Sequence, residues 1–174
     1  GQVASGKQDN LAALVRRYAS PLLTYVQRMV GDRHRSEELV QEVFLRVWLK
    51  RKTYRFPRTF RAWLFAIATN PCRSAFRRAR PAAEPLADFG TDVPAAAGPS
   101  PVEAAVSTET AALVAAAVAQ LPPQQRMVVI LRNFNGLSFA EIAQAIGRNE
   151  VTARSHMHHA LRAMRQYLEP RMRD

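Results

Sequence analysis

The 174-residue chain has almost no cysteine and no long apolar run. Its single cysteine, Cys72, excludes an internal disulfide framework and leaves no cysteine pair for a zinc site. No run approaches the roughly 20 apolar residues that span a bilayer, and the N-terminal residues lack the apolar core of a signal peptide. We therefore expect a cytoplasmic protein without membrane insertion.

The sequence also lacks strand patterns and the motifs of enzymes. No stretch alternates apolar and polar residues as a half-buried strand does, so we predict an all-α fold. There is no glycine-rich phosphate loop and no nucleophile–base spacing. A nucleic-acid-processing enzyme would need clustered carboxylates for metal, whereas the N-terminal acids lie mostly on one helix among Arg and Lys. We expect no catalytic activity, no metal and no cofactor.

Positive charge dominates the chain and is unevenly distributed. Residues 1–80 carry 17 Lys and Arg against 5 Asp and Glu, whereas residues 81–120 carry 5 acidic residues and no Lys or Arg. Residues 121–174 are basic again, with 8 against 4. Two basic modules around an acidic connector favour a polyanionic partner, because neutralised phosphates release counterions. The alternative is that the charge serves only solubility.

A segment rich in Pro, Ala and Gly separates two helical parts of the chain. This segment, residues 81–102, has too few large apolar residues to fold alone and is predicted to be a flexible linker. We therefore predict two small helical domains, one at residues 1–80 and the other at residues 103–174.

Helical periodicity predicts three helices before the linker. The first covers residues 9–30, where Pro21 is expected to bend or interrupt it. The second is predicted to begin after an N-cap at Ser36. The third runs from Phe60 to about Arg80, with a kink or break expected at Pro71.

The C-terminal domain contains the pattern of a helix-turn-helix. Ser138 and Glu141 have the spacing of a capping box, which predicts that a helix begins there. Gly147 is expected to end this helix, and Asn149 is expected to cap the next one. Two helices joined by a short glycine-containing turn are typical of DNA-binding domains.

The second helix of this motif is predicted to bury one face and expose another. The predicted buried stripe consists of Ala153, Met157 and Leu161. The opposite face carries Arg, Ser, Thr and His side chains of the kind that contact phosphates and base edges. His156 and His159 lie at i and i+3, but no carboxylate or cysteine on that face completes a metal site. The alternative is an ordinary helical hairpin with a solvated basic face.

Aromatic and basic residues are interleaved between residues 54 and 78. This mixture suits single-stranded nucleic acid, since rings stack on bases and cations neutralise the backbone, and a loop of this kind can hold a base taken out of the stack. The alternative is that Phe60, Trp63, Leu64 and Ile67 form the core, and for the last three we favour the core.

The helix at residues 37–50 has more apolar residues than one buried stripe requires. The excess suggests a second packing partner outside the chain. The alternative is a central helix that its own domain surrounds on all sides.

Several motifs match one family in order and spacing. The segments GDRHRSEELVQEVFLRVW, FRAWLFAIATN and LPPQQRMVVILRNFNGLSFAEIAQAIG resemble the extracytoplasmic-function sigma factors of bacterial RNA polymerase, and the resemblance extends over about residues 9–168. It implies a bacterial initiation factor that binds core RNA polymerase, recognises promoter DNA as duplex and as single-stranded non-template strand, and is regulated by an anti-sigma factor. The alternative is a stand-alone helix-turn-helix regulator, which leaves the aromatic segment and the over-apolar helix unexplained.

The resemblance also implies three sets of binding residues. Polymerase binding falls on Glu38, Leu39, Gln41, Glu42, Leu45 and Trp48. Recognition and opening of the minus-ten element fall on Tyr54, Arg55, Phe56, Arg58, Phe60, Arg61, Trp63, Asn70, Arg73, Arg77 and Arg78. Recognition of the minus-thirty-five element falls on Arg148, Asn149, Glu150, Thr152, Arg154, Ser155, His156, His158 and His159.

The chain departs from the family pattern at a few positions. Arg148 stands where an apolar residue is usual, and Ala153 where a larger β-branched residue is frequent. His156 and His159 occupy positions that often hold arginine, and Pro71 is unusual in the minus-ten helix. The first four departures concern promoter preference rather than the way the domain docks on DNA. Pro71 would redirect Arg73, Arg77 and Arg78 of the minus-ten helix.

Overall fold

Seven α-helices form most of the regular structure in the residues that the computed structural model describes, which are 8–55, 57–78 and 101–172. The predicted all-α fold is confirmed. The helices are α1 Gln8–Val30, α2 Arg33–Lys50, α3 Phe60–Arg78, α4 Pro101–Gln120, α5 Pro123–Val129, α6 Phe139–Ile146 and α7 Glu150–Leu168. Short 3-10 helices follow α2 and α7, and a π-helical turn at Ile130–Phe134 follows α5. None of the described helices is long and apolar enough to cross a membrane.

The chain reverses between α1 and α2 within two residues. Gly31 has a φ of 84°, a left-handed conformation that glycine tolerates because it has no Cβ. Asp32 then caps α2, since its side chain accepts the N–H of Arg35 at 2.6 Å. The predicted cap at Ser36 is therefore wrong. Ser36 is buried inside the helix, and its hydroxyl donates to the Asp32 carbonyl at 2.5 Å.

Two prolines lie inside helices without ending them. α1 continues through Pro21 and α3 continues through Pro71, so the expected break at Pro71 does not occur. A proline inside a helix removes one backbone hydrogen bond and costs about 3 kcal/mol. Pro71 is buried, and α3 packs against α1, α2 and α6, so tertiary packing maintains the helix. The predicted end near Arg80 lies outside the described residues.

The core is formed by one continuous set of apolar side chains. In the N-terminal half it contains Leu22, Tyr25, Val26 and Met29 of α1, Leu39, Val43 and Val47 of α2, and Trp63, Leu64, Phe65 and Ile67 of α3. In the C-terminal half it contains Met127 to Leu131, Leu137, Ile142, Ile146, Ala153 and Met157. The prediction that Trp63, Leu64 and Ile67 belong to the core is confirmed.

The two halves of the chain pack directly on each other. α3 lies against α6, and α1 lies against the π-helical turn after α5. The amide nitrogen of Asn135 donates to the Pro21 carbonyl at 2.9 Å, and Arg126 donates to the Met29 carbonyl at 3.3 Å. The predicted linker at residues 81–102 lies outside the described residues except at its end, where α4 already begins at Pro101.

Candidate nucleic-acid interface

The connection between α6 and α7 has the geometry of a helix-turn-helix. The Ser138 hydroxyl accepts the N–H of Glu141, and the Glu141 carboxylate accepts the N–H of Ser138, so the capping box is confirmed. α6 ends at Gly147, whose φ of 67° is left-handed. Asn149 then caps α7 by accepting the N–H of Thr152 at 2.8 Å. The predicted end of α6 and start of α7 are both confirmed.

α7 buries only the first part of its predicted apolar stripe. Ala153, Met157 and Ala160 are buried, and no residue of α7 after Ala160 is. The prediction that Leu161 continues the stripe is wrong, because its side chain is 53% exposed. It borders an open apolar groove together with Met164. α7 is thus fully buried along one face only in its first three turns, and its later residues are half-buried or exposed.

The predicted minus-thirty-five residues lie at and just before the start of α7. Arg154 is held in place there, since it donates to Glu150 at 2.5 Å and its guanidinium carbon lies 4.5 Å from the ring centroid of Phe139. The structure brings these side chains together, and their contacts with DNA stay a prediction. The exposed members are Arg148, Asn149, Arg154, Ser155, His158 and His159, and the half-buried members are Glu150, Thr152 and His156.

His156 differs from an ordinary surface histidine. Burial lowers its pKa, and the neighbouring His159 and Arg148 lower the pKa further because each favours the neutral imidazole. His156 is therefore mostly neutral at pH 7 in the free chain. Within the described ranges, no group of three or more His, Cys, Asp or Glu side chains is placed to hold a metal ion.

The loop between α2 and α3 is braced by its own aromatic residues. The Tyr54 hydroxyl donates to the Arg58 carbonyl at 2.8 Å. The ring centroids of Tyr54, Phe60 and Trp63 lie 5.5–6.0 Å apart. Trp63 is only 6% exposed, so in this conformation it supports the loop from behind and offers no surface on which a base can stack.

The basic and polar residues of this segment divide into exposed and covered ones. Arg55 is exposed and donates to carbonyls of its own loop, and Asn70 is exposed on α3. Arg58, Arg61 and Arg73 are half-buried because they contact the C-terminal half of the chain. Three other predicted minus-ten contacts lie outside the described residues, namely Phe56 and the side chains of Arg77 and Arg78.

The covered residues are held mainly by α6. Arg58 donates to the Gln144 carbonyl at 2.9 Å, and Arg61 pairs with the Glu141 carboxylate at 2.9 Å. The Thr59 hydroxyl donates to the other oxygen of Glu141 at 2.9 Å. The sequence predicts Glu141 only as a cap. Its role between the two halves could not be anticipated, because its partners lie about 80 residues away in the chain.

Glu141 keeps its negative charge at physiological pH. Burial alone raises its pKa, but hydrogen bonds from Arg61, from the N–H and hydroxyl of Ser138 and from Thr59 outweigh burial and hold the pKa at about 2. The carboxylate therefore serves at once as the cap of α6 and as the ion-pair partner of α3.

α2 presents a mixed apolar and polar face to solvent. Leu45 is 58% exposed and Leu49 is 67% exposed, so the helix is not surrounded by its own domain. Trp48 is half-buried beneath Arg51, whose guanidinium carbon lies 4.1 Å from the indole ring centroid. Among the other residues predicted to bind polymerase, Glu38 and Gln41 are exposed and Glu42 is half-buried.

One residue of the predicted polymerase-binding set does not lie on the exposed face of α2. Leu39 is 1% exposed and packs in the core, whereas Leu45 and Leu49 face solvent. A side chain buried in its own domain presents no surface to a partner. Leu39 therefore supports the position of α2 and does not itself belong to the exposed face.

Two family models and a set of relatives identify the chain. Sigma-70 region 2 matches residues 14–81, and Sigma-70 region 4 matches residues 111–164. The ECF RNA polymerase sigma factor SigL of Mycobacterium tuberculosis is 34% identical over 167 residues, which cover 95% of this chain and 93% of SigL. The chain belongs to the ECF sigma factor family. The resemblance of the sequence motifs is thereby confirmed.

Other similar proteins agree with this assignment. SigE of Mycolicibacterium smegmatis is 35% identical over 156 residues, which cover 89% of this chain and 60% of SigE. The match to SigW of Bacillus subtilis has 29% identity and covers 96% of this chain and 93% of SigW. Among solved structures, CnrH in complex with the cytosolic domain of CnrY has a TM-score of 0.73 at 23% identity, covering 97% of this chain and 94% of that one. RpoE in complex with the anti-sigma factor NepR from Bartonella quintana has a TM-score of 0.71 at 21% identity, covering 92% of this chain and 97% of that one. At these identities the two structures show the fold alone.

Proposed function

We propose that this sigma factor directs core RNA polymerase to promoters through three separate surfaces. The exposed face of α2 binds the polymerase, the loop before α3 and α3 itself bind the opened minus-ten element, and α7 binds the minus-thirty-five duplex. The domains that carry these roles are residues 1–80 and 103–174, with residues 81–102 as the linker. The observation that supports the proposal best is that α2 and α7 each expose side chains that the fold does not use.

The minus-ten surface combines positive charge with aromatic rings. Arg55 and Asn70 are accessible, and Tyr54 and Phe60 are half-buried at the edge of the aromatic cluster. Stacking on an aromatic ring stabilises an unstacked base by about 1–3 kcal/mol. Capture of such bases lowers the free energy of strand opening without any bond being made or broken.

The minus-thirty-five surface reads duplex DNA with the first turns of α7. Arg148 and Arg154 supply charge for phosphates, which gives affinity and a strong dependence on salt. Asn149, Ser155 and His159 supply donors and acceptors of the kind that discriminate base edges in the major groove.

The remaining parts of the proposal concern partners and location. The chain catalyses no reaction itself and acts in the bacterial cytoplasm, where the polymerase works. An anti-sigma factor is the regulatory partner that we propose for it, of the class that NepR represents for RpoE.

Run-off transcription tests this function. Purified core polymerase is incubated with a promoter library, with and without the full chain, and we expect transcripts from a defined promoter class only when the chain is present. A stand-alone regulator would instead bind duplex tightly by itself and leave transcription by core polymerase unchanged, and that result would overturn the proposal. The regulator alternative also leaves the match of residues 14–81 to Sigma-70 region 2 without a role.

A further inference from the structure

Asn135 and Gly136 form a short Asn-Gly turn that connects the π-helical segment to α6. The chain contains five asparagines, and only Asn135 precedes a glycine. An asparagine is most reactive before glycine, because glycine has no Cβ to obstruct its backbone nitrogen when that nitrogen attacks the preceding side chain. In the described part of the chain, no group accepts the N–H of Gly136, so no hydrogen bond restrains this nitrogen.

The reaction available to this pair is deamidation, in which water is the only co-reactant. The Gly136 nitrogen gives up its proton and attacks Cγ of Asn135, so that a new C–N bond closes a five-membered succinimide ring. The Cγ–Nδ2 bond breaks, and the amide group takes up the proton and leaves as ammonia. Water then opens the ring at either carbonyl, which leaves aspartate or isoaspartate at position 135.

The observed conformation of Asn135 opposes this ring closure. Its ψ of −3° places the Gly136 nitrogen nearly eclipsed with the backbone nitrogen of Asn135 and away from the side chain. The Nδ2 atom, which is the leaving group, donates to the Pro21 carbonyl of α1 at 2.9 Å. The reaction therefore requires the side chain to leave Pro21 and the backbone to rotate. Such a movement is a local opening of the Asn-Gly turn away from α1.

A second contact holds the same part of the chain on α1. The guanidinium carbon of Arg28 lies 3.7 Å from the ring centroid of Phe134, the residue before Asn135. A cation over an aromatic ring is attracted to it, and more strongly where the cation is partly removed from water, as half-buried Arg28 is. Two residues of α1 thus restrain two adjacent residues at the start of the Asn-Gly turn.

Deamidation removes the donor on which the contact with Pro21 depends. Both products carry a carboxylate in place of the amide, and carboxylate oxygens accept hydrogen bonds but donate none. Isoaspartate also adds one carbon to the backbone shortly before the capping box of α6. Because water does not restore the amide, this loss of contact between the two halves of the chain is permanent.

We propose that Asn135 is a site of spontaneous deamidation, and that the contacts of the Asn-Gly turn region with α1 control the rate of the reaction. The chain then loses its hydrogen bond to Pro21 irreversibly, at a rate set by the time that the turn spends away from α1. The inference goes beyond the proposed function and does not depend on it, since deamidation requires neither DNA nor polymerase.

Ageing the purified full chain in mildly alkaline buffer tests the reaction itself. Peptide mass spectrometry measures the deamidated fraction at each asparagine over time. We expect Asn135 to deamidate first, with both aspartate and isoaspartate formed. Gly136→Ala should slow the reaction several-fold, and its added Cβ would meet no atom within 4 Å. Equal rates at Asn135 and at exposed Asn133, which precedes phenylalanine, would overturn the proposal.

Arg28→Gln tests whether contact with α1 controls the rate. The substitution removes the cation from Phe134 and leaves both residues of the Asn-Gly turn unchanged. We expect Asn135 to deamidate about 3- to 10-fold faster, in keeping with the usual contribution of a cation–π pair to a local opening equilibrium. Arg16→Gln removes the same charge at an exposed position of α1 and is the matched control. Equal rates in the two variants would show that α1 does not control the reaction.

Asn149 distinguishes local opening of the turn from unfolding of the whole chain. It caps α7, far from α1 in sequence, and its deamidation is measured in the same samples. Local opening in Arg28→Gln accelerates the reaction at Asn135 and leaves Asn149 at its wild-type rate. General unfolding accelerates both reactions, and acceleration by the same factor at the two sites would overturn control by the contact with α1.

Discussion

The guanidinium carbon of Arg126 lies 4.7 Å from the ring centroid of Phe76, and so connects the C-terminal half of the chain to α3. The same side chain donates to the carbonyls of Met29, in the last turn of α1, and of Ala119, in the last turn of α4. It therefore provides a positive charge at the negative ends of two helices. Burial lowers the pKa of Arg126 to about 10, which leaves it charged at neutral pH.

Arg126→Met should destabilise the whole chain rather than one half. Methionine keeps much of the apolar volume but leaves the two helix-end carbonyls without a donor. We expect the free energy of unfolding to fall by about 2–4 kcal/mol, since each unsatisfied buried group costs about 1–3 kcal/mol. Urea denaturation measures this change. Arg162→Met, at an exposed position of α7, is the control and should change stability by less than about 0.5 kcal/mol.

Gly147→Ala should be destabilising without any steric clash. The residue has a φ of 67°, and an added Cβ would meet no atom within 4 Å. Only the cost of left-handed backbone remains, which is about 1–2 kcal/mol for a residue with a Cβ. Gly147→Asn should lose less, since asparagine tolerates this conformation better. Thermal denaturation of wild type and both variants measures this order of stability. Equal stability of wild type and the alanine variant would contradict the prediction.

Signals contained within a few residues predict the structure correctly. The capping box at Ser138, the left-handed end of α6 at Gly147 and the cap at Asn149 all depend on chemistry within one helical turn. The predicted start of α2 is wrong because Asp32 and Ser36 are both acceptable caps, and the left-handed Gly31 favours Asp32. Local rules cannot choose between two such candidates.

Features that depend on distant residues could not be predicted in the same way. α3 continues through Pro71 because neighbouring helices hold it, and helix propensity contains no information about those neighbours. The ion pair between Arg61 and Glu141 joins two domains that the sequence suggests are separated by a flexible linker. The exposure of Leu161 depends on where the helices that pack against α7 lie. Each of these is a tertiary property.

Leu45→Ala and Trp48→Ala should weaken binding to core polymerase. Leu45 is largely exposed and Trp48 is half-buried on the same helix, so truncation removes partner surface with little loss of core packing. An apolar anchor at the centre of an interface contributes about 2 kcal/mol or more. We therefore expect polymerase affinity to fall about 30-fold in the variant whose side chain lies nearer the centre of the interface. Surface plasmon resonance with immobilised core polymerase measures the change.

Two comparisons make this result specific to the exposed face of α2. Ser20→Ala truncates an exposed side chain of α1 and should leave polymerase affinity unchanged. Binding of minus-thirty-five duplex should stay the same in Leu45→Ala and Trp48→Ala, because α7 is untouched. Wild-type polymerase affinity in both α2 variants would contradict the assignment of α2.

His156 should make duplex binding depend on pH. Because burial and the nearby His159 and Arg148 lower its pKa, the imidazole is mostly neutral at pH 7 and takes up a proton only as the pH falls further. A phosphate stabilises the protonated form, so affinity should change little between pH 8 and 7 and should rise as the pH falls from 7 to 5.5. His156→Gln keeps a polar side chain that does not titrate and should flatten this rise. His34→Gln, on α2, should leave the rise as it is in wild type, and equal pH profiles for wild type and His156→Gln would exclude His156 as a phosphate contact.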